Sequence, residues 1–314
     1  MKRNTHVENL RPKGTLAREI RKNSAMYMML LPAVVVLFIF AYIPIYGIIM
    51  AFQDYNPMKG TGGSAFIGFE NFRYMFKNAE FWNSVKNTVV ISFFRILFQF
   101  PAPIILALLL NECRFTKYKK VTQTLFTFPN FLSWVIAAGI LKNFLRSDGF
   151  VNLALNALNL PSFNFLTNPD SFRGLLYVTE IWKTAGWSAI IYLAAISSID
   201  TEQYDAATVD GANRLQRMWH ITLPSITSTI SFMLILALAG VMNAGFDQIY
   251  NMWNDVVRDS ANIIDTYVYQ ITFQAIPEYG FSTAVGLFKS IINFAMILGA
   301  DRIIRKLSGN GIYY

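Results

Sequence analysis

Residues 205–224 hold the grouping of side chains in this sequence that stands out most. Asp205-Ala206-Ala207, Asp210-Gly211-Ala212 and Ile221-Thr222-Leu223-Pro224 make a polar, charged stretch in an otherwise apolar chain. Its chemistry is recognition and not bond-breaking. Two small alanines, with a glycine four positions after the second, leave a bare surface that another protein can approach closely. Reactive groups are scarce elsewhere. Cys113 is the single cysteine, which excludes an internal disulfide and a cysteine metal cluster. The two histidines, His6 and His220, are far apart in sequence and lack metal-ligand spacing. No G-x-x-x-x-G-K-[ST] loop occurs, so no nucleotide hydrolysis is expected of this chain. Neither a catalytic nor a metal site is expected, and no nucleophile–base constellation is visible.

A second set of candidates sits inside apolar runs, where polar and charged side chains are functional hypotheses by default. Glu180 and Lys183 are three positions apart on one helical face, arranged equally well as a self-neutralising pair or as substrate contacts. Arg95 reads as a partner for a neighbouring helix or subunit. Lys289, nearer the middle of its run, is placed as well for a pathway as for a structural pair. Asn243 and Asp247 at i, i+4 share a helical face, and with Gln248, Trp187 and Tyr192 they are the pathway candidates. Helix–helix hydrogen bonding accounts for the same residues equally well.

The elements that must position these residues follow from composition. Hydrophobic residues make up 54% of the 314 and charged residues 15%, against about 25% charged in soluble domains; mean hydropathy is +0.36. Six apolar runs have the roughly 20-residue length of a spanning helix: 26–52, 88–111, 121–141, 175–199, 225–246 and 281–304. The expected fold is an all-α polytopic membrane protein with six transmembrane helices. It forms one domain over 25–306, between a basic N-terminal tail, 1–24, and a short C-terminal tail, 307–314. The first run exceeds the roughly 7–15 apolar residues of a signal-peptide core and reads as a retained anchor. Pro32, Pro44, Pro101, Pro103 and Pro129 are expected to mark kinks.

Lysine and arginine set the orientation. They crowd the N-terminus (Lys2 to Lys22), the loop after the second run (Arg114, Lys117, Lys119, Lys120) and the C-terminus (Arg302, Arg305, Lys306). Both termini are therefore expected in the cytoplasm. The net charge of +8 is a topology signal with a lipid-headgroup role, not a nucleic-acid surface. The 201–224 loop falls on the same side but breaks the bias: Arg214 and Arg217 face Asp200, Glu202, Asp205 and Asp210. Locally it reads as an elbow. Thr201 is the expected N-cap of a short helix to Asp210, Gly211 ends it at positive φ, a second helix runs from Asn213 to about His220, and Pro224 opens the fifth span.

The spacing acid-Ala-Ala-x3-Gly-x9-Ile-x-Leu-Pro resembles the "EAA" signature of permease subunits in binding-protein-dependent ABC importers. It is carried by Asp205, Ala206, Ala207, Gly211, Ile221, Leu223 and Pro224, with Asp205 one methylene shorter than the family's usual Glu. Gly68-Phe69-Glu70-Asn71-Phe72 looks like an element of sugar permeases. The stretch 245–254 with 264–269 is similar to a branch in Gram-positive bacteria that handles larger oligosaccharides.

The resemblance implies a type I importer permease fold in the bacterial cytoplasmic membrane, forming half of a carbohydrate pathway. It implies a second homologous permease in a heterodimer, two cytoplasmic ATPases gripping the 201–224 loop, an extracytoplasmic solute-binding lipoprotein, and membrane lipid around the spans. ATP and Mg would be handled by the ATPases, with no cofactor on this chain. Asp210 and Ala212 join the coupling residues, and Lys289 would meet an acidic sugar or a partner carboxylate. Alternatives are a permease for another solute such as glycerol phosphate, an ion-coupled transporter using Lys289, Glu180 and Arg95, and a structural scaffold; the last two leave the elbow unexplained.

Overall fold

A computed structural model describes residues 20–274 and 277–308. Most of the expected tails, 1–24 and 307–314, thus lie outside the described residues. The chain folds almost wholly into helices because its long apolar runs, lacking β-branched alternation, must satisfy their backbone groups internally. Helix α1 spans Ser24–Phe52, passing through a π turn at Phe38–Tyr42 into a 3-10 stretch from Ile43, with Pro44 in its first turn. A two-residue hairpin follows, β1 (Gln53–Asp54) pairing antiparallel with β2 (Ala65–Phe66). Then come α2 (Glu70–Lys77), α3 (Ala79–Asn111), α4 (Thr116–Phe131), α5 (Trp134–Leu145), α6 (Phe150–Ala157) and α7 (Pro169–Ser197). The remainder is α8 (Thr201–Val209), α9 (Arg214–Ser225), α10 (Thr227–Ala239), α11 (Phe246–Met252), α12 (Ile264–Tyr269) and α13 (Tyr279–Ser308).

Helix α7 is the axis of the structure. Asn168 caps its first turn and Pro169 occupies N1, where a missing N–H costs nothing. Its buried residues recur at helical spacing: Phe172, Leu176, Thr179, Lys183, Gly186, Ala189, Leu193 and Ile196. That face packs on both halves of α3 and on α4. Gly186 permits the α4 contact, since a Cβ there would collide with the Phe126 backbone. Three apolar clusters form the core, the first and third including residues of α7. One joins Ile91, Ala138, Phe172 and Leu176 to Ile249 and Ile263; a second joins Met75, Phe81 and Met242 to Tyr267 and Val285; a third joins Ile104, Ala107 and Tyr192 to Ile226. Asn71 ties α2 to the end of α1, donating to Ala51 O (2.9 Å) and Gln53 O (3.1 Å).

The spans differ from the expectation in instructive ways. Among the described residues, α1, α3 and Tyr279–Gly299 of α13 are single helices long and apolar enough to cross a membrane. The second span begins near Ala79, not 88, because Asn78 caps the helix there, accepting from Glu80 N and Phe81 N. The third is not one straight helix: Thr116–Phe131 and Trp134–Ala157 meet at 106°. Pro129 cannot donate, Leu132 is extended, and Ser133 restarts the helix by accepting from Ile136 N at 3.3 Å. The fifth is bent by 61° between Ser225 and Thr227 and stops at Gly240, after which Ala244 (φ 40°) and Gly245 (φ 79°) reverse the chain. The fourth, α7, runs 29 residues, about 44 Å at 1.5 Å per residue. It is not among the helices apolar enough to qualify, because its interior face carries Thr179, Glu180 and Lys183.

Candidate functional site

Two regions gather the residues singled out from the sequence. The first is the elbow. Its opening cap is Asp200 and not Thr201: the Asp200 carboxylate accepts from Glu202 N at 3.0 Å while Thr201 is already helical. Helix α8 ends as expected at Gly211, φ 81°, where Ala212 N reaches back to Ala207 O (2.9 Å) and Gly211 N to Thr208 O (3.1 Å). Asn213 then caps α9 through a reciprocal box with Gln216, at 2.9 and 2.7 Å. Two bonds brace the arms against each other: Arg217 Nη1 donates to Thr208 Oγ1 (2.7 Å), and the Tyr204 and Thr222 hydroxyls meet at 2.9 Å.

A hollow of about 310 Å³ opens between Ala207, Asp210, Gly211 and Ala212 on one side and Arg217, His220 and Ile221 on the other. Val209, Leu215 and Trp219, on the same two arms, are 88%, 62% and 62% exposed. Asp205 and Ala206 are exposed on α8. Leu223 instead packs inward against the third cluster. Pro224 lies inside α9, just after a π turn at Met218–Thr222 and immediately before the 61° bend that leads into α10 at Thr227.

The second region is a cavity of about 440 Å³ between α3, α7, α10 and the 240–245 break. Ser92, Arg95 and Gln99 line it from α3, Thr184, Ser188 and Tyr192 from α7, and Asn243 and Gly245 from the break. Gln99 Nε2 donates to Thr184 Oγ1 at 3.2 Å. Arg95 is central. It donates to Gln248 Oε1 and faces Glu180, Nη1 to Oε2 3.6 Å, with both side chains 11% exposed. Gln248 passes the link on, donating to Leu176 O (2.8 Å) and Thr179 Oγ1 (2.7 Å). Ser92 anchors the break by donating to Val241 O.

The pathway candidates therefore separate. Tyr192 and Asn243 line the cavity. Gln248 is wholly buried behind it as a strut. Lys289 is occupied: its Nζ meets Asp265 Oδ1 and Oδ2 at 2.6 and 2.8 Å and Asn243 Oδ1 at 3.1 Å. Trp187 lies off the cavity, 48% exposed and edge-on to Phe131. Asn243 and Asp247 do not share a helical face, because the left-handed residues Ala244 and Gly245 stand between them; Asp247 is exposed on α11. Nor do Glu180 and Lys183 pair with each other. Glu180 faces Arg95, while Lys183 donates to Asn130 O (3.1 Å) and sits 5.5 Å over the Trp134 ring.

Sequence reasoning passed over Ser92, Gln99, Thr184, Ser188 and Asp265. A signal existed: 92, 95 and 99 on α3, and 184, 188 and 192 on α7, are polar stripes at helical spacing within apolar runs.

Comparison with known proteins places this geometry. Residues 81–309 match the family described as "Binding-protein-dependent transport system inner membrane component". The chain is 42% identical to Protein LplB of Bacillus subtilis (strain 168) over 295 residues, covering 94% of this chain and 92% of LplB. It is also 42% identical over 289 residues to the polygalacturonan/rhamnogalacturonan transport system permease protein YteP of the same organism, covering 92% and 90%. Among solved structures it superposes with a TM-score of 0.87, at 36% identity, on a chain of a bacterial ABC transporter involved in import of the acidic polysaccharide alginate, covering 94% of this chain and 100% of that one. It superposes equally, with a TM-score of 0.87 at 36% identity over 95% of this chain and 100% of that one, on a chain of a bacterial alginate ABC transporter in complex with an alginate pentasaccharide-bound periplasmic protein. With the family match running from the start of α3 into the last helix, this chain belongs to the binding-protein-dependent transport system inner membrane components.

Proposed function

We propose that the chain is a permease subunit of an ATP-driven carbohydrate importer, taking oligosaccharides, and that it forms half of the translocation pathway. The observation that carries this reading is the end-to-end superposition on an alginate-importer chain at 36% identity. The YteP likeness supports the substrate class. The chain crosses the membrane six times, α7 and the two bent pairs completing the count, with both termini in the cytoplasm. A second, homologous permease completes the pathway as a heterodimer. An extracytoplasmic binding protein delivers the sugar, and two ATPases supply ATP and Mg chemistry that this chain does not perform.

The elbow receives the stroke. The hollow between Ala207, Gly211, Ala212 and Ile221, with Val209, Leu215 and Trp219 exposed on the same arms, suits an apolar ATPase surface, with Asp205 and Asp210 giving charge contacts. The braces from Arg217 and Tyr204 make it a lever, because a loop free to flex would dissipate the motion. Replacing Gly211 by Val tests the assignment. Uptake of oligosaccharide and co-purification of the ATPase should fall together, while the permease pair still assembles in the membrane. Uptake that persists while no ATPase ever associates would sink the importer reading.

A further inference from the structure

We infer that the cavity between α3, α7 and the 240–245 break selects saccharides that carry a carboxylate, and that Arg95 is the residue that reads it. This rests on the carbohydrate-permease reading above and narrows it to hexuronate oligosaccharides. Among the described residues that line the cavity, Arg95 is the one charged side chain; the rest of the polar wall is amide and hydroxyl. A carboxylate entering there meets a cation and no anion on the wall, since Glu180 lies behind Arg95 and Asp247 lies off the cavity. The wall around Arg95 is otherwise of the kind that meets sugar hydroxyls: Gln99, Thr184, Ser188 and Tyr192. Its volume, about 440 Å³, falls in the range of roughly 300–1,000 Å³ usual for small-molecule sites.

The Arg95–Glu180 pair is a poor structural device, which is the second ground for the inference. At 3.6 Å it is longer than the roughly 2.7–2.9 Å of a charge-assisted hydrogen bond. Arg95 Nε and Glu180 Oε2 have no hydrogen-bond partner among the described residues. A buried ion pair with spare valences contributes little stability compared with apolar packing of the same volume. The unpartnered Nε leaves the guanidinium with a donor to spare, and Arg95, 11% exposed, lies on the cavity wall, where its planar fork can take a second carboxylate. The backbone is built to admit it: Gly245, at φ 79°, lies against the guanidinium, and any Cβ there would overlap Arg95. Lys289, by contrast, is saturated by Asp265 and Asn243, so it is not the reader of substrate charge.

The test uses the whole permease–ATPase complex in nanodiscs, without the binding protein, so that no other filter acts. Trigalacturonate and its full methyl ester are titrated separately; the two differ in charge and little in hydroxyl pattern. Wild type should bind the acid about tenfold or more tighter, the worth of one charge-assisted contact. Because Arg95→Gln alone strands Glu180, the deciding variant is Arg95→Gln with Glu180→Gln, which removes both charges together. It should bind acid and ester alike, whereas Arg95→Lys should keep a reduced preference for the acid. Equal binding by wild type, a preference surviving in the double variant, or no binding of either probe would overturn the inference. None of these touches the importer reading, which fails only if no ATPase associates and uptake persists.

Discussion

Of the left-handed turns among the described residues, those at Gly211 and at Ala244–Gly245 are held in opposite ways. At the elbow, Gly211 turns the chain in open space: a Cβ there would meet nothing within 4 Å, and every brace comes from residues 200–222. In the membrane region, Ala244 and Gly245 turn the chain against Arg95, and the braces come from far along the sequence. Ser92 and Arg95 are 149 and 153 positions from the residues they hold, and Lys289 is 46 from Asn243. The elbow's braces are therefore drawn from its own two arms. The 240–245 turn is only as fixed as the arrangement of α3, α7 and α13 around it. Any relative shift of those helices is felt there, at the wall of the cavity, which is the link that the coupling proposed above requires.

The largest expected effect lies at the membrane turn. Arg95→Ala removes the donor to Gln248 and the charge opposite Glu180 at once. Breaking a buried pair by deleting one partner costs about 3–5 kcal/mol, so the melting temperature of the purified protein should drop sharply or folded yield should vanish. Removing both charges as Arg95→Gln with Glu180→Gln should recover most of the loss, as strong coupling in a double-mutant cycle. Additive losses would mean that the two side chains do not act on each other and that the turn is held by something else.

The two glycines give the direct comparison. Each sits at positive φ, so alanine at either position costs about 1–2 kcal/mol from the left-handed backbone alone. If backbone strain were all, Gly211→Ala and Gly245→Ala would melt alike. Because only the second collides with Arg95, Gly245→Ala should lose clearly more, and its loss should shrink when Arg95 is already shortened to Gln. Equal melting of the two single variants would erase the distinction between a self-contained turn and a borrowed one.

The same distinction explains what could be read from the sequence. The elbow was legible because its structure is local: Gly211, Asn213 and the alanines announce a turn and a cap within a few residues. Its misplaced cap, Asp200 in place of Thr201, is a choice between adjacent capping residues, and its second arm runs past the expected end near His220 to Ser225, carrying Pro224 inside it. The apolar runs were legible as membrane segments from hydropathy. The breaks inside them were not, because hydropathy sees neither the extended backbone at Leu132 nor the reversal at Ala244 and Gly245. Asn243 and Asp247 looked like one helical face for that reason. From the sequence Lys289 reads as a pathway candidate and Arg95 as a structural partner, and the structure reverses them, since nothing local says that Asp265, 24 positions away, would occupy the lysine, or that the arginine would border a cavity.

The smallest effect on stability should come with a large effect on coupling, and it lies at the elbow. Asn213→Ala removes the side-chain acceptor for Gln216 N, a cap worth about 1 kcal/mol of helix stability, and Arg217→Ala removes the brace to Thr208. Both residues lie at the periphery of the fold, outside the three apolar clusters. Melting of the membrane domain should therefore shift far less than in Gly245→Ala. What should change is the transmission of motion: with both substitutions the ATPase still binds the exposed apolar side chains, yet sugar moved per ATP hydrolysed falls. Uptake and hydrolysis measured together in proteoliposomes decide this. A proportional fall in both would mean that the braces serve only to hold the ATPase, while an unchanged ratio at full activity would mean that the elbow need not be stiff. A selective loss of uptake would establish that its rigidity carries the stroke to the cavity.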